Sequence, residues 1–524
     1  MGIPLYFKKV STEFTDIISS KQPYTKCDRL FLDFNCAIHR CCNELKTQLE
    51  LDHQVTDAEF EDMLIARCKV FIAEIYELVK PTELIYVAID GVVPMAKIQQ
   101  QRKRRYLRDW REGELAKSSR NGSKRRDGHT WNTNAITPGT SFMQALVLEI
   151  SAFTETFSKS HDIRTITTYE KGEGEHNIYR YICKTDDRRA YTDVIYGLDA
   201  DMILLSMLMP SVNKTFLIRE DVNDVSNFIY MDIHNTRSQI VKQFADITDT
   251  NTNTSVLLKS YIFLTFLLGN DFVPNLTYLS LRTNGLSTML SMYTETYLKQ
   301  NNGRHIINVD NTINTEFLSM FIEALARDED TAFADCEKKY YDTKLRRTHY
   351  TYEEKKLDNY PLIHKYPEII NVDTAGWRRY YYYYLFDKSI RCDVISQSCI
   401  KYLIGLQWLV DYYFNKKTDW YWCYPYSYSP TILDLSNYIN SIDHYPSSLT
   451  HGYRSINALD QLLMVLPTSS KHLIPCAEYR SYYTDVNKGY VHCFPTSICI
   501  VTYMKYQLHE CDGFGLALKY PLLI

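Results

Sequence analysis

Seven carboxylates in this chain have the types and spacing for chemistry: Asp33, Asp90, Glu173, Glu175, Asp199, Asp201 and Asp271. Four of them form acid-x-acid pairs, Glu173/Glu175 in KGEGEH and Asp199/Asp201 in GLDAD. Asp33 lies near the end of LFLDF, Asp90 closes YVAID, and Asp271 follows an apolar stretch and a glycine in GNDFVP. Gathered in one place, these groups would repel one another unless cations neutralised them. Hard oxygen ligands suit Mg²⁺ or Mn²⁺. Two such ions, roughly 3.5–4 Å apart, can clamp the attacking and leaving oxygens of a phosphoryl displacement. Taken singly, each acid is equally well a helix N-cap or a solvated strand end. The conjunction points to a metal-dependent nuclease.

A basic face follows the second acid. Lys97, Gln101, Arg104 and Arg105 recur at the spacing of one helix face. From Lys97 to Arg126 there are 12 Lys and Arg against 3 Asp and Glu. A run of this kind is ordinarily a solvated helix. Seven residues after Asp90, it also suits a terminal phosphate, because guanidinium groups grip phosphate oxygens bidentately. The segment Ser118–Gly128 reads instead as a basic loop that attracts a nucleic-acid backbone without specificity.

These side chains need a frame. Short apolar runs at Arg29–Phe34, Leu84–Ile89, Val194–Leu198 and Thr215–Ile218 alternate with helical patterns at Ala58–Val79, Ser141–Phe157 and Glu175–Cys183. Such alternation predicts a buried, mostly parallel sheet flanked by helices. Open α/β sheets bind ligands at the carboxyl ends of their strands, where Asp33, Asp90 and Asp199 fall. We therefore expect an α/β lobe over residues 1–327, a charged connector over 328–374, and a second, aromatic-rich, mainly helical lobe over 375–524. The second lobe, with apolar stretches at Ile400–Phe414 and Ile456–Leu466, is expected to complete the pocket.

Composition sets the remaining bounds. The 524 residues are 45% hydrophobic and 23% charged, as in soluble globular proteins. The net charge of −4 does not announce a nucleic-acid partner, so the local basic field matters more than the sum. The 14 cysteines include no C-x-x-C pair, which argues against a zinc ribbon or disulfide framework and for a reducing, intracellular setting. The N-terminus lacks a signal-type apolar block, and Val256–Leu268, interrupted by Lys259, is too short for a membrane span. No membrane association is expected.

Several segments together resemble the Xrn-type 5′→3′ exoribonucleases: MGIPLYFKKV, LFLDFNCAIHRC, VAIDGVVPMAKIQQQRKRRY, NAITPGTSFM, GEGEHNI, YGLDADMILL and LLGNDFVPNL. The likeness continues through GLQWLVDYYF, WYWCYPYSYSP and ALDQLLMVLP, and so spans nearly the whole chain. It implies a PIN/flap-nuclease-like sheet and all seven catalytic acids as ligands of two Mg²⁺ or Mn²⁺ ions. Lys97, Gln101, Arg104 and Arg105 match the family's 5′-monophosphate pocket. His39 matches a base-stacking histidine, and Trp422, chosen over Trp420, is expected to stack opposite it. The implied activity is processive degradation of 5′-monophosphorylated single-stranded RNA to 5′-mononucleotides by a monomer. Decapping or other RNA-processing factors are the expected partners, and cytoplasmic residence is expected ahead of nuclear. Four departures stand out: Cys36 for a common Gly, Met95 for Arg, Asn177 for Lys and Ser427 for His. None removes a carboxylate. The chain ends after the second lobe, so a compact, divergent member such as a virus carries is expected. A flap-type DNA nuclease would be the nearest rival, but the glycine-rich helix–hairpin–helix expected after Asp271 is missing from FVPNLTYLSLRTNG. A silent RNA-binding scaffold would have lost acids, and none is lost.

Overall fold

The computed structural model describes residues 2–514 apart from 50–54, 120–130, 186–188, 198, 222–223, 225–226, 249–252, 301, 348–356, 358–369, 371, 373, 387–391, 447–455, 489, 496–498 and 502–511. Most of the basic loop expected at Ser118–Gly128, and the last ten residues, fall outside the described set.

Seven strands form the central sheet: β1 (Ile18–Ser19), β2 (Cys27–Asp33), β3 (Pro81–Ala88), β4 (Arg164–Thr168), β5 (Thr192–Tyr196), β6 (Lys214–Glu220) and β7 (Phe228–Asp232). Their order is β1-β7-β6-β5-β2-β3-β4. The run from β6 to β4 is parallel; β7 joins its edge antiparallel to β6, and the short β1 pairs antiparallel with β7. A mostly parallel sheet was the expectation. Strand alternation sends neighbouring side chains to opposite faces. Leu30, Leu32, Ile85 and Val87 therefore enter one core with helices Phe34–Leu49, Asp57–Val79 and Ser141–His161. Phe31, Leu84, Tyr86 and Ala88 enter the other, with helices Gly174–Lys184, Ala200–Met207 and Thr254–Phe266.

That second core continues without a break into the aromatic-rich half, through Tyr402, Trp408, Tyr412 and Ile439. The stretch read as a charged connector opens as helix Glu329–Arg347. Its Glu329 is fully buried. One carboxylate oxygen accepts from Thr277 Oγ1 at 2.9 Å and Ile432 N at 2.6 Å, and the other from Leu433 N at 3.1 Å and Arg378 Nη2 at 2.8 Å. The acid thus satisfies the first amides of helix Ile432–Ser441, groups that lack intrahelical partners. Charge density suggested a connector in the sequence, and its first glutamate is an internal tie between the two halves.

The far end of the chain packs on the basic helix Met95–Ser119. Val93, Met95 and Ile98 share a core with Leu462, Leu463 and Val465. Arg102 donates to the carbonyls of Met464, at 2.6 Å, and Cys493. No helix among the described residues is long and apolar enough to cross a membrane.

Candidate active site

The acids gather at the carboxyl edge of the sheet because β2, β3 and β4 end in step. Asp33, the last residue of β2, pairs in register with Ala88, and Ala88 with Thr168. Asp90 lies two residues past β3. Beyond the strands, Gly91 N donates to Gly172 O at 3.0 Å and Gly172 N to Val92 O at 2.8 Å. Gly91 has no room for a side chain, since a Cβ there would lie 2.0 Å from Glu170 O.

Both acid-x-acid pairs open helices. Glu173 is the N-cap of Gly174–Lys184, with Glu175 in the first turn; Asp199 is the N-cap of Ala200–Met207, with Asp201 in the first turn. Only the cap residue of each pair is extended, and the second acid sits in helical backbone. The positive helix termini offset part of the crowding of negative charge. Gly174 N donates to Asp90 Oδ1 at 2.6 Å. A Cβ on Gly174 would lie 3.1 Å from Asp33 Oδ1 and 3.3 Å from Asp90 Oδ1, so the absence of a side chain lets these acids close on the helix.

Lys97 is drawn into the cluster. Its Nζ pairs with Glu173 Oε2 and with Asp271 Oδ2, the latter at 2.8 Å. Burial alone would push Lys97 down, but Asp271 and Glu173 on either side hold it well above its usual range. Burial would likewise raise Asp271, and Lys97 brings it below the ordinary carboxylate range. Burial and then Asp90 push Asp33 up to about 8, and burial and then Asp271 push Asp201 up to about 7. Asp90 rises to about 6, chiefly through burial, and Glu175 rises through burial and Glu173.

A carboxyl with a higher pKa folded than unfolded keeps extra protons in the native state over that interval, so stability falls as pH rises through it. Asp33, Asp90 and Asp201 place the interval from about 4 to about 8. Asp199 and Asp271, held low, titrate below it. In EDTA, the melting temperature should therefore drop between pH 5 and pH 8, and Mg²⁺ should restore more of it at pH 8. A flat melting profile across that range would contradict this electrostatic reading.

Among the described residues, no three His, Cys, Asp or Glu side chains converge closely enough to hold an ion as they stand. In kind, the donor set fits a hard divalent cation: it is made of buried carboxylates, and burial together with their crowding raises Asp33 and Asp201, a cost that a cation among them would offset.

The remaining predicted residues divide. Gln101 and Arg105 are buried, and Gln101 Oε1 and Arg105 Nη1 have no hydrogen-bond partner among the described residues. Burial, with Arg104 and Arg108 nearby, lowers Arg105 to about 9. His39 adjoins the same arginines: burial and Arg104 lower it to about 3, so the ring is neutral at physiological pH. Trp422 is packed on Trp408, with centroids 5.1 Å apart at 25°, and against Gly405, where a Cβ would lie 3.0 Å from the indole. Trp420, set aside in the sequence, lines a cleft with Pro94, His176, Arg180 and Lys416. At the departures, Cys36 Sγ donates to Asp33 Oδ2 at 3.1 Å, and Ser427 Oγ accepts from Lys103 Nζ at 3.1 Å.

Sequence reasoning missed three contributors. Gly2, at φ 43°, presses on Asp201, whose Oδ1 would lie 2.5 Å from a Cβ there. Tyr412 Oη donates to Glu173 Oε1 at 2.7 Å, and Tyr413 Oη to Asp201 Oδ1 at 3.0 Å. Burial and the adjacent carboxylates push both hydroxyls well above the usual phenol range, so they remain donors. The only signal for the tyrosines was their place in a family-like segment, GLQWLVDYYF.

Two family profiles cover this architecture. One, described as XRN 5′-3′ exonuclease N-terminus, matches residues 1–221; the other, Xrn1 helical domain, matches 251–368 and 363–505. The chain belongs to the Xrn-type 5′→3′ exoribonuclease family. Among its relatives, human 5′-3′ exoribonuclease 1 is 24% identical over 94% of this chain and 32% of its own length. The Saccharomyces cerevisiae 5′-3′ exoribonuclease 1 is 24% identical over 91% and 40%. Arabidopsis thaliana 5′-3′ exoribonuclease 2 is 24% identical over 89% and 59%. The chain thus spans between about a third and three-fifths of the length of these Xrn-type relatives. The mixed α/β first half and the largely helical, aromatic-rich second half agree with the two regions the profiles describe.

Proposed function

We propose that this chain is a processive 5′→3′ exoribonuclease that degrades single-stranded, 5′-monophosphorylated RNA to 5′-mononucleotides by two-metal-ion hydrolysis. The observation that carries the reading is the adjacency of two sites on one helix. The basic helix begins beside the acid cluster, where Lys97 pairs with Glu173 and Asp271, and continues to the buried Gln101 and Arg105. A terminal phosphate held by Gln101, Arg104 and Arg105 would bring the first internucleotide bond toward Asp33, Asp90, Glu173, Glu175, Asp199, Asp201 and Asp271. Those carboxylates would hold two Mg²⁺ or Mn²⁺ ions, which polarise a phosphate and lower the pKa of an attacking water. Lys97 would meet the phosphate from the acid side. His39, neutral and beside the arginines, would stack on the first base. Trp420, which lines the cleft, is the better opposing platform, because Trp422 is packed on Trp408 and Gly405. A monomer acting in the cytoplasm, supplied by decapping or other RNA-processing factors, fits this substrate.

The test offers RNAs with 5′-monophosphate, triphosphate or hydroxyl ends, and matched DNA, in Mg²⁺ or EDTA. Rapid loss of the monophosphate RNA alone, abolished by EDTA, is expected. Equal degradation of all three RNA ends would overturn the pocket, and activity in EDTA would overturn the metal chemistry.

A further inference from the structure

Helix Cys392–Val410 does not simply end. It runs into one turn of π-helix, Asp411–Asn415, which carries Tyr412 and Tyr413. Adjacent residues of a regular α-helix point to different sides and do not reach a common neighbour. π-turns inside helices recur at functional sites, where they re-aim side chains. Here two consecutive phenols reach carboxylates that open two different helices, Glu173 and Asp201.

The rings are held from behind. Tyr412 stacks on Trp408, 4.8 Å away at 21°, and meets Phe272 edge-on at 5.5 Å. Tyr413 packs on Phe266 at 5.0 Å. His176, on the same helix as Glu175, touches both rings, at 3.9 and 5.5 Å. Both tyrosines are buried, so neither hydroxyl is placed for bulk solvent. Glu173 is gripped at both oxygens, Oε1 by Tyr412 and Oε2 by Lys97.

We propose that Tyr412 and Tyr413 are positioning residues for the catalytic acids: each phenol commits one oxygen of Glu173 or Asp201 and so fixes how that carboxylate is presented to a cation. This rests on the reading of Glu173 and Asp201 as metal ligands. Groups that orient ligands in this way tune metal affinity, and their loss costs about 10–100-fold.

The test uses the full chain as wild type, Tyr412→Phe, Tyr413→Phe and Asp201→Asn. Calorimetric titration with Mn²⁺ alone is paired with initial rates against Mn²⁺ concentration. Each phenylalanine variant should raise the Mn²⁺ dissociation constant about 10–100-fold. The half-saturating Mn²⁺ should rise in parallel, with the rate recovering when metal is saturating. Each substitution keeps the ring and its stacking, and if one variant does not fold, the other carries the test. A lower melting temperature with unchanged Mn²⁺ affinity in both would overturn the proposal and leave only a packing role. Weaker binding in Asp201→Asn alone would overturn the positioning role while sparing the ligand assignment. Normal binding in Asp201→Asn would overturn that assignment, and the positioning role with it.

Discussion

Asp199→Ala is expected to remove nearly all nuclease activity while leaving the fold intact. Asp199 is the N-cap of helix Ala200–Met207, yet its side chain makes no capping hydrogen bond, so the substitution deletes no cap contact. Burial would raise its pKa, but the positive charges around it outweigh burial and hold it below the ordinary range, leaving it charged. It is thus among the acids able to meet a cation without first losing a proton. Losing such a group in the transition state should cost about 10²–10³-fold in kcat, the scale of a deleted electrostatic stabiliser. The melting temperature in EDTA should fall only modestly, because a carboxylate held below its ordinary range is stabilised in the folded chain by the charges around it and that stabilisation goes with it. Rates on 5′-monophosphate RNA and a thermal melt in EDTA, measured together, check both halves. A melting temperature that falls in step with activity would make Asp199 a structural acid.

The second large effect is expected at Arg105→Met, and it should be selective. Arg105 is 7% exposed and its Nη1 lacks a partner among the described residues. A buried cation of this kind costs stability until an anion arrives. Removing it should therefore leave the unliganded protein as stable or more stable. Losing one partner of a buried charge pair costs about 2–5 kcal/mol, so the rate on 5′-monophosphate RNA should fall roughly 10²–10³-fold. The rate on 5′-hydroxyl RNA, which presents no terminal phosphate, should hardly change. Competition between the two RNAs in one reaction measures the ratio directly. An equal loss on both ends would mean that Arg105 holds the helix rather than the phosphate. Arg102, one turn-face away, supplies the control: it is buried with carbonyl partners at Met464 and Cys493, so Arg102→Met should destabilise the chain without changing end preference.

Much of the frame was legible because its signals are local. The central strands β2, β3, β5 and β6 are apolar runs buried on both faces, and each fell where the pattern put it. The edge elements were not. β4 reads RTITT and is mostly half-buried, β7 is only partly covered, and β1 is two residues long, so none carries a distinctive apolar run. Helix Glu329–Arg347 was obscured by its own charges, since nothing in EDTAFADCEKKYYDTKLRR says that its first glutamate will meet amides a hundred residues later. The choice between the tryptophans was not legible for a related reason. Trp420 and Trp422 are two residues apart in one motif, and only the neighbours Trp408 and Gly405 separate a packed ring from one that lines a cleft.

The carboxylates themselves divide along the same line. Their identity, their place at strand ends and helix starts, and the basic face that follows Asp90 were determined by the sequence alone, because strand period, capping and helical spacing are properties of a few consecutive residues. Which acid meets which partner was decided only by tertiary structure. Lys97 lies between Glu173 and Asp271, Gly2 presses on Asp201, and two tyrosines some two hundred residues away grip Glu173 and Asp201. Those contacts exist because the second half shares one core with the sheet, and no spacing along the chain encodes a distance across that core.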